Sequence, residues 1–242
     1  CVLAVTDGEL SGPSVLSAVF DVANTPPVVE SAAVKPTQPV VGTPLVCEYS
    51  VSDVDTVDLV ILETTVTWWV DGNQVTLPTP SKGQEVRCDV VVSDGTTSSA
   101  PMSSAAIIIG NSPPSVASAF VLPANPQSTD TLSCEAPSGV DPDNDAVDFL
   151  YRWFVDGVVL EGQVQKHLTP AHHAKGQLLA CEVTPTDGDA LGTAVVSDDV
   201  VIGNAPPVVG SAVLTPSGGG AMTEFNCAAN GIMDPDDDVV TL

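Results

Sequence analysis

The sequence predicts an all-β fold, built from β-sandwich domains in tandem with one intradomain disulfide each. Three observations lead to this prediction. Cysteines alternate between two positions of a repeating unit, apolar and polar residues alternate in short runs, and no segment has a sustained helical period. Alternation with a period of two places the apolar residues on one face of a sheet, where they can form a core.

The repeat is about 90 residues long, close to the usual size of an immunoglobulin-like domain. Two series of cysteines both advance by 87 and then by 93 residues: Cys1, Cys88 and Cys181 in one, and Cys47, Cys134 and Cys227 in the other. Proline pairs that begin at residues 26, 113 and 206 follow the same steps. Markers that move together in this way indicate tandem repeats.

These markers divide the chain into four predicted parts. They are the last strands of a partial domain (1–24), two complete domains (25–111 and 112–204) and the first part of a further domain (205–242). The simplest interpretation is a segment of a longer array. The alternative is a split domain completed by the next subunit, as in strand donation. We favour the array, because residues 205–242 stop before the tryptophan strand that a sandwich needs.

Each complete domain contains one cysteine of each series, which predicts the disulfides Cys47–Cys88 and Cys134–Cys181. Trp153 lies between the second pair in the sequence. A cysteine, a tryptophan and a later cysteine on successive core strands are typical of an immunoglobulin-like sandwich. Whether Cys1 and Cys227 pair within a longer chain or between subunits stays open. Disulfides persist in oxidising compartments, so we expect an extracellular or cell-surface protein.

Charge and hydropathy restrict the partners. The chain has six Lys plus Arg against 31 Asp plus Glu, a formal net charge of −25. Nucleic acid is excluded as an expected partner, because phosphate binding needs clustered cations. No apolar run reaches the length of a membrane span.

Three segments of the second complete domain resemble repeats of the polycystic-kidney-disease (PKD) type in bacterial and archaeal surface proteins. They are the acidic turn 141–145, the strand end 151–157 (Tyr-Arg-Trp-Phe-Val-Asp-Gly) and the segment 183–188 (Val-Thr-Pro-Thr-Asp-Gly). The sequence departs from that family at Val155, where a Phe-Gly-Asp-Gly pattern is common, and its paired cysteines are more like those of immunoglobulin domains. The resemblance implies an extracellular spacer, adhesive or filament-building role.

The acidic turns are the candidate metal sites, and Ca²⁺ is the expected ion because it prefers six to eight hard oxygen ligands. Closely spaced carboxylates occur in two repeats: Asp141, Asp143, Asp145 and Asp148 in one, and Asp234, Asp236 and Asp238 in the other. The turn is not an EF-hand, since Ala146 and Arg152 stand where that loop needs Gly and Glu. The alternative is a solvated turn that Asp and Pro form without a cation. The shorter Asp53-Val54-Asp55 of the first complete domain favours that alternative there.

Trp69 and Phe154 occupy matching positions, one residue beyond the expected core tryptophans. Strand alternation should turn them outward, so each is a possible contact for another molecule or a surface glycan. The alternative is that a neighbouring loop or strand covers them.

No motif frames a catalytic nucleophile, so we do not expect an enzyme. The predicted function is a structural repeat region of an extracellular fibre, filament or adhesin stalk, with neighbouring copies or further repeats as partners. The alternative is a set of carbohydrate- or surface-binding accessory modules of a secreted hydrolase.

Overall fold

A computed structural model of the chain describes residues 1–55 and 62–241 and confirms the all-β fold. The chain divides into two compact units, Cys1–Pro39 with Thr43–Ile109, and Val40–Gly42 with Gly110–Leu242. A short 3-10 turn lies at Pro170–His172. Throughout the described residues, no helix has the length and apolar character needed to cross a membrane.

The first unit contains one sandwich and a separate two-stranded ribbon. Its strands are β1 (Val2–Leu3), β2 (Val15–Leu16), β3 (Val28–Lys35), β4 (Val46–Ser52), β5 (Glu63–Val70), β6 (Asn73–Val75), β7 (Glu85–Ser93), β8 (Met102–Ser103) and β9 (Ile107–Ile108). Strands β3 and β4 form one sheet, and β6-β5-β7-β8 form the other, with β9 also paired to β7. The disulfide Cys47–Cys88 joins β4 to β7 across the core.

The second unit repeats this design. Its strands are β10 (Phe120–Leu122), β11 (Leu132–Glu135), β12 (Asp148–Val155), β13 (Val158–Val159), β14 (His167–Leu168), β15 (Leu178–Thr186), β16 (Val195–Val196), β17 (Val200–Val201), β18 (Val208–Thr215) and β19 (Asn226–Met233). Sheet β10-β11-β14 faces sheet β13-β12-β15-β16, and β17 also pairs with β15. Strands β18 and β19 form a separate hairpin.

The core of the second sandwich follows the predicted cysteine–tryptophan pattern. Cys134 on β11 is bonded to Cys181 on β15, and Trp153 lies opposite Cys181 in the register of β12 and β15. Trp153 is fully buried, and its Nε1 donates to the carbonyl of Gln165 at 2.9 Å. The indole is therefore packed in the core without an unpaired donor. Both predicted disulfides are confirmed.

Each tryptophan strand ends in the tight turn that its Asp-Gly sequence predicts. Asp71 and Gly72 have φ of 48° and 75°, and Asp156 and Gly157 have φ of 50° and 76°. Two successive left-handed residues are what a type I′ hairpin turn requires, and Asp-Gly adopts them readily. The carboxylate of Asp71 also accepts the N–H of Glu85 at 2.9 Å, which ties the turn to β7.

The closing strands are shorter than predicted. Runs of apolar residues predict continuous strands over residues 15–22, 105–109 and 195–202. The structure has β2 in the first range, β9 in the second, and β16 and β17 in the third. In each complete sandwich, a serine lies between the two short strands that pair with the late-cysteine strand: Ser104 between β8 and β9, and Ser197 between β16 and β17. Ser104 donates its N–H to the Cys88 carbonyl at 2.8 Å and accepts the Cys88 N–H on its Oγ at 3.0 Å. A hydroxyl thus replaces a backbone acceptor and interrupts the ladder.

Alternation along residues 1–5 predicts that Cys1, Leu3 and Val5 point into a core, and that prediction is wrong. All three are exposed in this structure. The reason is that β1 and β2 form a two-stranded ribbon, which offers no second layer for burial. Within the described part of the chain, Cys1 and Cys227 are both free and exposed.

Candidate cation-binding turns

The acidic turn of the second sandwich, residues 141–145, precedes β12 and folds around the side chain of Asp141. Its Oδ1 accepts the N–H groups of Asp143 at 2.7 Å and Asp145 at 3.3 Å. The Asp141 carbonyl accepts the N–H of Asn144 at 3.2 Å, and Asn144 has φ of 64°, a left-handed conformation that asparagine tolerates. Local Asp and Asn chemistry is therefore sufficient to build the turn.

The same turn gathers carboxylate oxygens at one point. Asp141, Asp143 and Asp145 each offer one oxygen, and these atoms lie within 4.8 Å of one another. Asp141 is 8% exposed, and its Oδ2 is buried with no hydrogen-bond donor among the described residues. A buried acceptor without a partner is costly. A hard cation would satisfy this oxygen, so the three residues fit a metal ion.

The second acidic turn, residues 234–238, has the same internal geometry. Asp234 Oδ1 accepts the N–H groups of Asp236 at 2.8 Å and Asp238 at 3.2 Å, and the three carboxylates again converge within 4.8 Å. The ammonium of Lys175 lies 2.5 Å from Asp238 Oδ2, and this hydrogen bond raises the pKa of Lys175 above its ordinary value.

Asp148 does not join the first cluster. It is the first residue of β12, where it lies opposite Thr186, and it is exposed. Once the chain enters the strand, its residues follow the straight path of the sheet and no longer curl around Asp141.

The second aspartate of each acidic turn also anchors the start of its repeat. Its Oδ2 accepts one backbone N–H from the Pro-Pro linker: Thr25 to Asp55 at 2.7 Å, Ser112 to Asp143 at 2.5 Å and Ala205 to Asp236 at 2.6 Å. This bond is present in the first unit, where the sequence motif is shortest. The turn therefore has a structural role that does not depend on a cation.

A second carboxylate holds the linker asparagine in both complete sandwiches. Asn24 Nδ2 donates to Asp94 Oδ2 at 2.9 Å, and Asn111 Nδ2 donates to Asp187 Oδ2 at 2.8 Å. Asp94 is 2% exposed. The Asn24 hydrogen bond, followed by backbone N–H groups of its own loop, holds the pKa of Asp94 well below the usual range. The Asn111 hydrogen bond is likewise the largest cause that lowers the pKa of Asp187.

These asparagines lie at the predicted domain boundaries, but sequence reasoning assigned them no contact and missed the serines of the closing strands. The signal was present in the repeat. Asparagines at 24, 111 and 204, and serines at 17, 104 and 197, advance by the same 87 and 93 residues as the cysteines. Polar residues that keep the phase of a repeat are candidates for bonds that the fold requires.

The structure covers one face of Trp69. The guanidinium carbon of Arg87 lies 4.7 Å from the ring centroid, and Arg87 also pairs with Asp89 on the same strand. Trp69 is partly buried, as is Phe154, which lies between Ala180 and Val159 in the sheet. Stacking of this kind stabilises an outward-facing aromatic within its own domain.

The fold and these turns define a class of protein: disulfide-bonded, immunoglobulin-like sandwiches with acidic turns at the ends of their domains. No family model and no curated protein matches the chain. It is similar to a solved structure of Sidekick-1 immunoglobulin domains 1–5, with 13% identity and a TM-score of 0.33, over 86% of this chain and 46% of that one.

The chain is also similar to SGBP-B of the mixed-linkage glucan utilization locus of Bacteroides ovatus, in complex with a mixed-linkage heptasaccharide. The identity is 15% and the TM-score is 0.24, over 75% of this chain and 48% of that one. The chain thus spans less than half the length of either structure.

Proposed function

We propose that the chain is a structural repeat region of an extracellular fibre, filament or adhesin stalk, whose domains act as semi-rigid spacers. Its partners are further repeats of the same chain or neighbouring copies. The PKD-like motifs, the disulfides, the acidic surface and the closely bonded linkers support this role over a catalytic one.

The main support for the proposal is the hydrogen bonding on both sides of Asn204, the residue between the second sandwich and the next repeat, which we call the joint. The carbonyl of Gly203, at the end of the second sandwich, accepts the N–H of Ser128 at 3.1 Å, and the Gly203 N–H donates to the Pro126 carbonyl at 2.7 Å. Ala205 already donates to Asp236 in the next repeat at 2.6 Å. Asn204 is the residue between these anchors, and Pro206 and Pro207 follow it. Proline fixes φ, so little freedom is left for the joint to bend.

We further propose Ca²⁺ as the ion for the acidic turns, with Asp141, Asp143 and Asp145 as the better site. The support is the buried Asp141 Oδ2, since this oxygen gains a partner when a cation binds. Asp234, Asp236 and Asp238 form a second candidate, which is more exposed.

Electron microscopy of the native full-length protein tests the spacer role. We expect rods or fibres with regular domain spacing. A Gly/Ser insertion between Asn204 and Ala205 should broaden the angle between adjacent domains. The same insertion in the exposed glycine-rich loop 217–220 serves as the control. Isolated compact monomers, or equal angle distributions in both insertion variants, would count against a semi-rigid spacer.

The alternative function, carbohydrate binding, requires an aromatic ring with a face that is free to stack on a sugar. Arg87 covers one face of Trp69. Binding of the native protein to surface polysaccharides that is lost in Trp69→Ala but kept in Phe154→Ala would favour this alternative over the spacer role.

A further inference from the structure

We infer that Lys175 is a latch between successive repeats: its ammonium acts as a built-in counter-ion for the acidic turn of the following repeat and fixes the joint at Asn204. The inference deepens the proposed spacer function, on which it rests.

Lys175 is held in position by the turn that carries it. The Gln177 N–H donates to the Ala174 carbonyl at 3.2 Å, and the Gln177 side chain accepts the Ala174 N–H at 2.7 Å. Gly176 has φ of 86°, as the third position of a type II turn requires. The Gly176 N–H donates to the Ile202 carbonyl at 2.8 Å. The lysine therefore leaves a closed turn that is bonded to the chain just before the joint.

From this turn the side chain reaches the next repeat. Lys175 Nζ lies 2.5 Å from Asp238 Oδ2, and the cleft around it is lined by Ser128 and Asp236 among others. Asp236 is the residue that accepts the Ala205 N–H. The ion pair and the backbone bond thus hold the same acidic turn from two sides, and loosening one exposes the other to water.

The lysine turn is a feature of the repeat and not of one loop. In the first unit, Lys82 lies in a turn closed by Gln84 N–H to the Ser81 carbonyl at 3.2 Å, and the Gly83 N–H donates to the Ile109 carbonyl at 2.8 Å. The chain has six Lys plus Arg in 242 residues, and two of them occupy this one position. In so acidic a chain, cations at equivalent sites indicate a role that needs positive charge there.

A divalent cation and the lysine compete for the same carboxylate. A metal ion at residues 234–238 needs Asp238 as a ligand, and Asp238 is engaged by Lys175. Both side chains are about half exposed, so the pair is a weak latch that salt screens.

Hydrogen–deuterium exchange of the full-length protein tests the latch at the Ala205 amide. In chelator and low salt, Lys175→Met should speed exchange of the peptide that contains Ala205 by about 1.4- to fivefold, the range expected for an exposed ion pair. Lys166→Met is the matched control, because Lys166 also pairs with a carboxylate, Glu135, at 2.8 Å and has the same 41% exposure as Lys175. Unchanged exchange at Ala205, or an equal change in both variants, would overturn the latch.

A second test adds calcium. Calcium should slow exchange of the Ala205 amide more in Lys175→Met than in the parent protein, because the lysine no longer competes with the ion for Asp238. Equal protection in both proteins would overturn the competition and with it the latch as a counter-ion. A lack of any calcium effect in either protein would refute the proposed Ca²⁺ binding at this turn, and the chelator comparison alone would then decide the latch.

Discussion

Asp141→Asn should change stability in opposite directions with and without calcium. Asparagine has nearly the same shape and keeps the oxygen that accepts the N–H groups of Asp143 and Asp145. It replaces the buried, unpartnered Oδ2 with an amide group that can donate to the neighbouring carboxylates. In chelator the substitution therefore removes one negative charge from a crowded cluster without dismantling the turn.

The size of the effect follows from the distances. The carboxylate oxygens lie within 4.8 Å of one another. At this upper limit, two unit charges repel by about 1 kcal/mol in bulk water and by roughly 3 kcal/mol at the effective dielectric typical of protein surfaces. We expect Asp141→Asn to raise the free energy of unfolding in chelator by about 1 to 3 kcal/mol. At a calcium concentration of about 1,000 Kd, binding stabilises the parent by about 4.1 kcal/mol. The variant loses most of this gain, so the parent becomes the more stable protein.

Urea denaturation at neutral pH, followed by far-ultraviolet circular dichroism, measures both differences. Asp148→Asn is the control, because it removes the same charge from an exposed residue outside the cluster. For Asp148→Asn, the difference in free energy of unfolding from the parent should be the same in calcium and in chelator, within a few tenths of a kcal/mol. If parent and Asp141→Asn differ by the same amount in calcium and in chelator, the turn binds no cation and is simply a hydrogen-bonded Asp turn.

Two further predictions concern the bonds that hold each sandwich. Ser104→Ala leaves the buried N–H of Cys88 without its acceptor. We therefore expect it to lower the free energy of unfolding, measured by urea denaturation, by about 1 to 3 kcal/mol. Ser98→Ala, at an exposed position, is the control and should have little effect. The depressed pKa of Asp94 stabilises the fold above its ordinary pKa of 3.8, and this contribution is lost as pH falls below that value. Asn24→Ala should therefore lower the unfolding midpoint at neutral pH, and the midpoint of the variant should decrease less steeply than that of the parent between about pH 4 and 2. If the midpoints of variant and parent change in parallel with pH, this account is contradicted.

Much of the fold could be read from local patterns. Alternation along β7 and β15 identified the buried residues, and the phase of the repeat identified both disulfides. Asp-Gly predicted the left-handed turns at Asp71 and Asp156. The turns depend on residues that are neighbours in sequence, and the buried faces and disulfides follow patterns that recur along the chain. Sequence alone is therefore sufficient to predict them.

Sequence reasoning found the acidic turn, and its role as a metal site stays a prediction. The carboxylate oxygens of Asp141, Asp143 and Asp145 lie within 4.8 Å of one another, as their spacing within one tight turn suggested. Asp148 was grouped with them by proximity in sequence, yet it lies in a strand. Where a turn ends and a strand begins depends on pairing with β15, which is distant along the chain.

The sequence by itself determined that this chain forms all-β sandwiches held by intradomain disulfides, because the spacing of its cysteines and the alternation of its apolar residues are set along the chain. The tertiary structure alone decided how the domains are held at their ends. Asn24 bonds to a loop 70 residues away and Asn111 to one 76 residues away, while Lys175 reaches a turn 63 residues further on. A side-chain hydrogen bond needs its atoms placed within a few tenths of an ångström. Only the packed sheets, and not the order of residues, fix positions that closely.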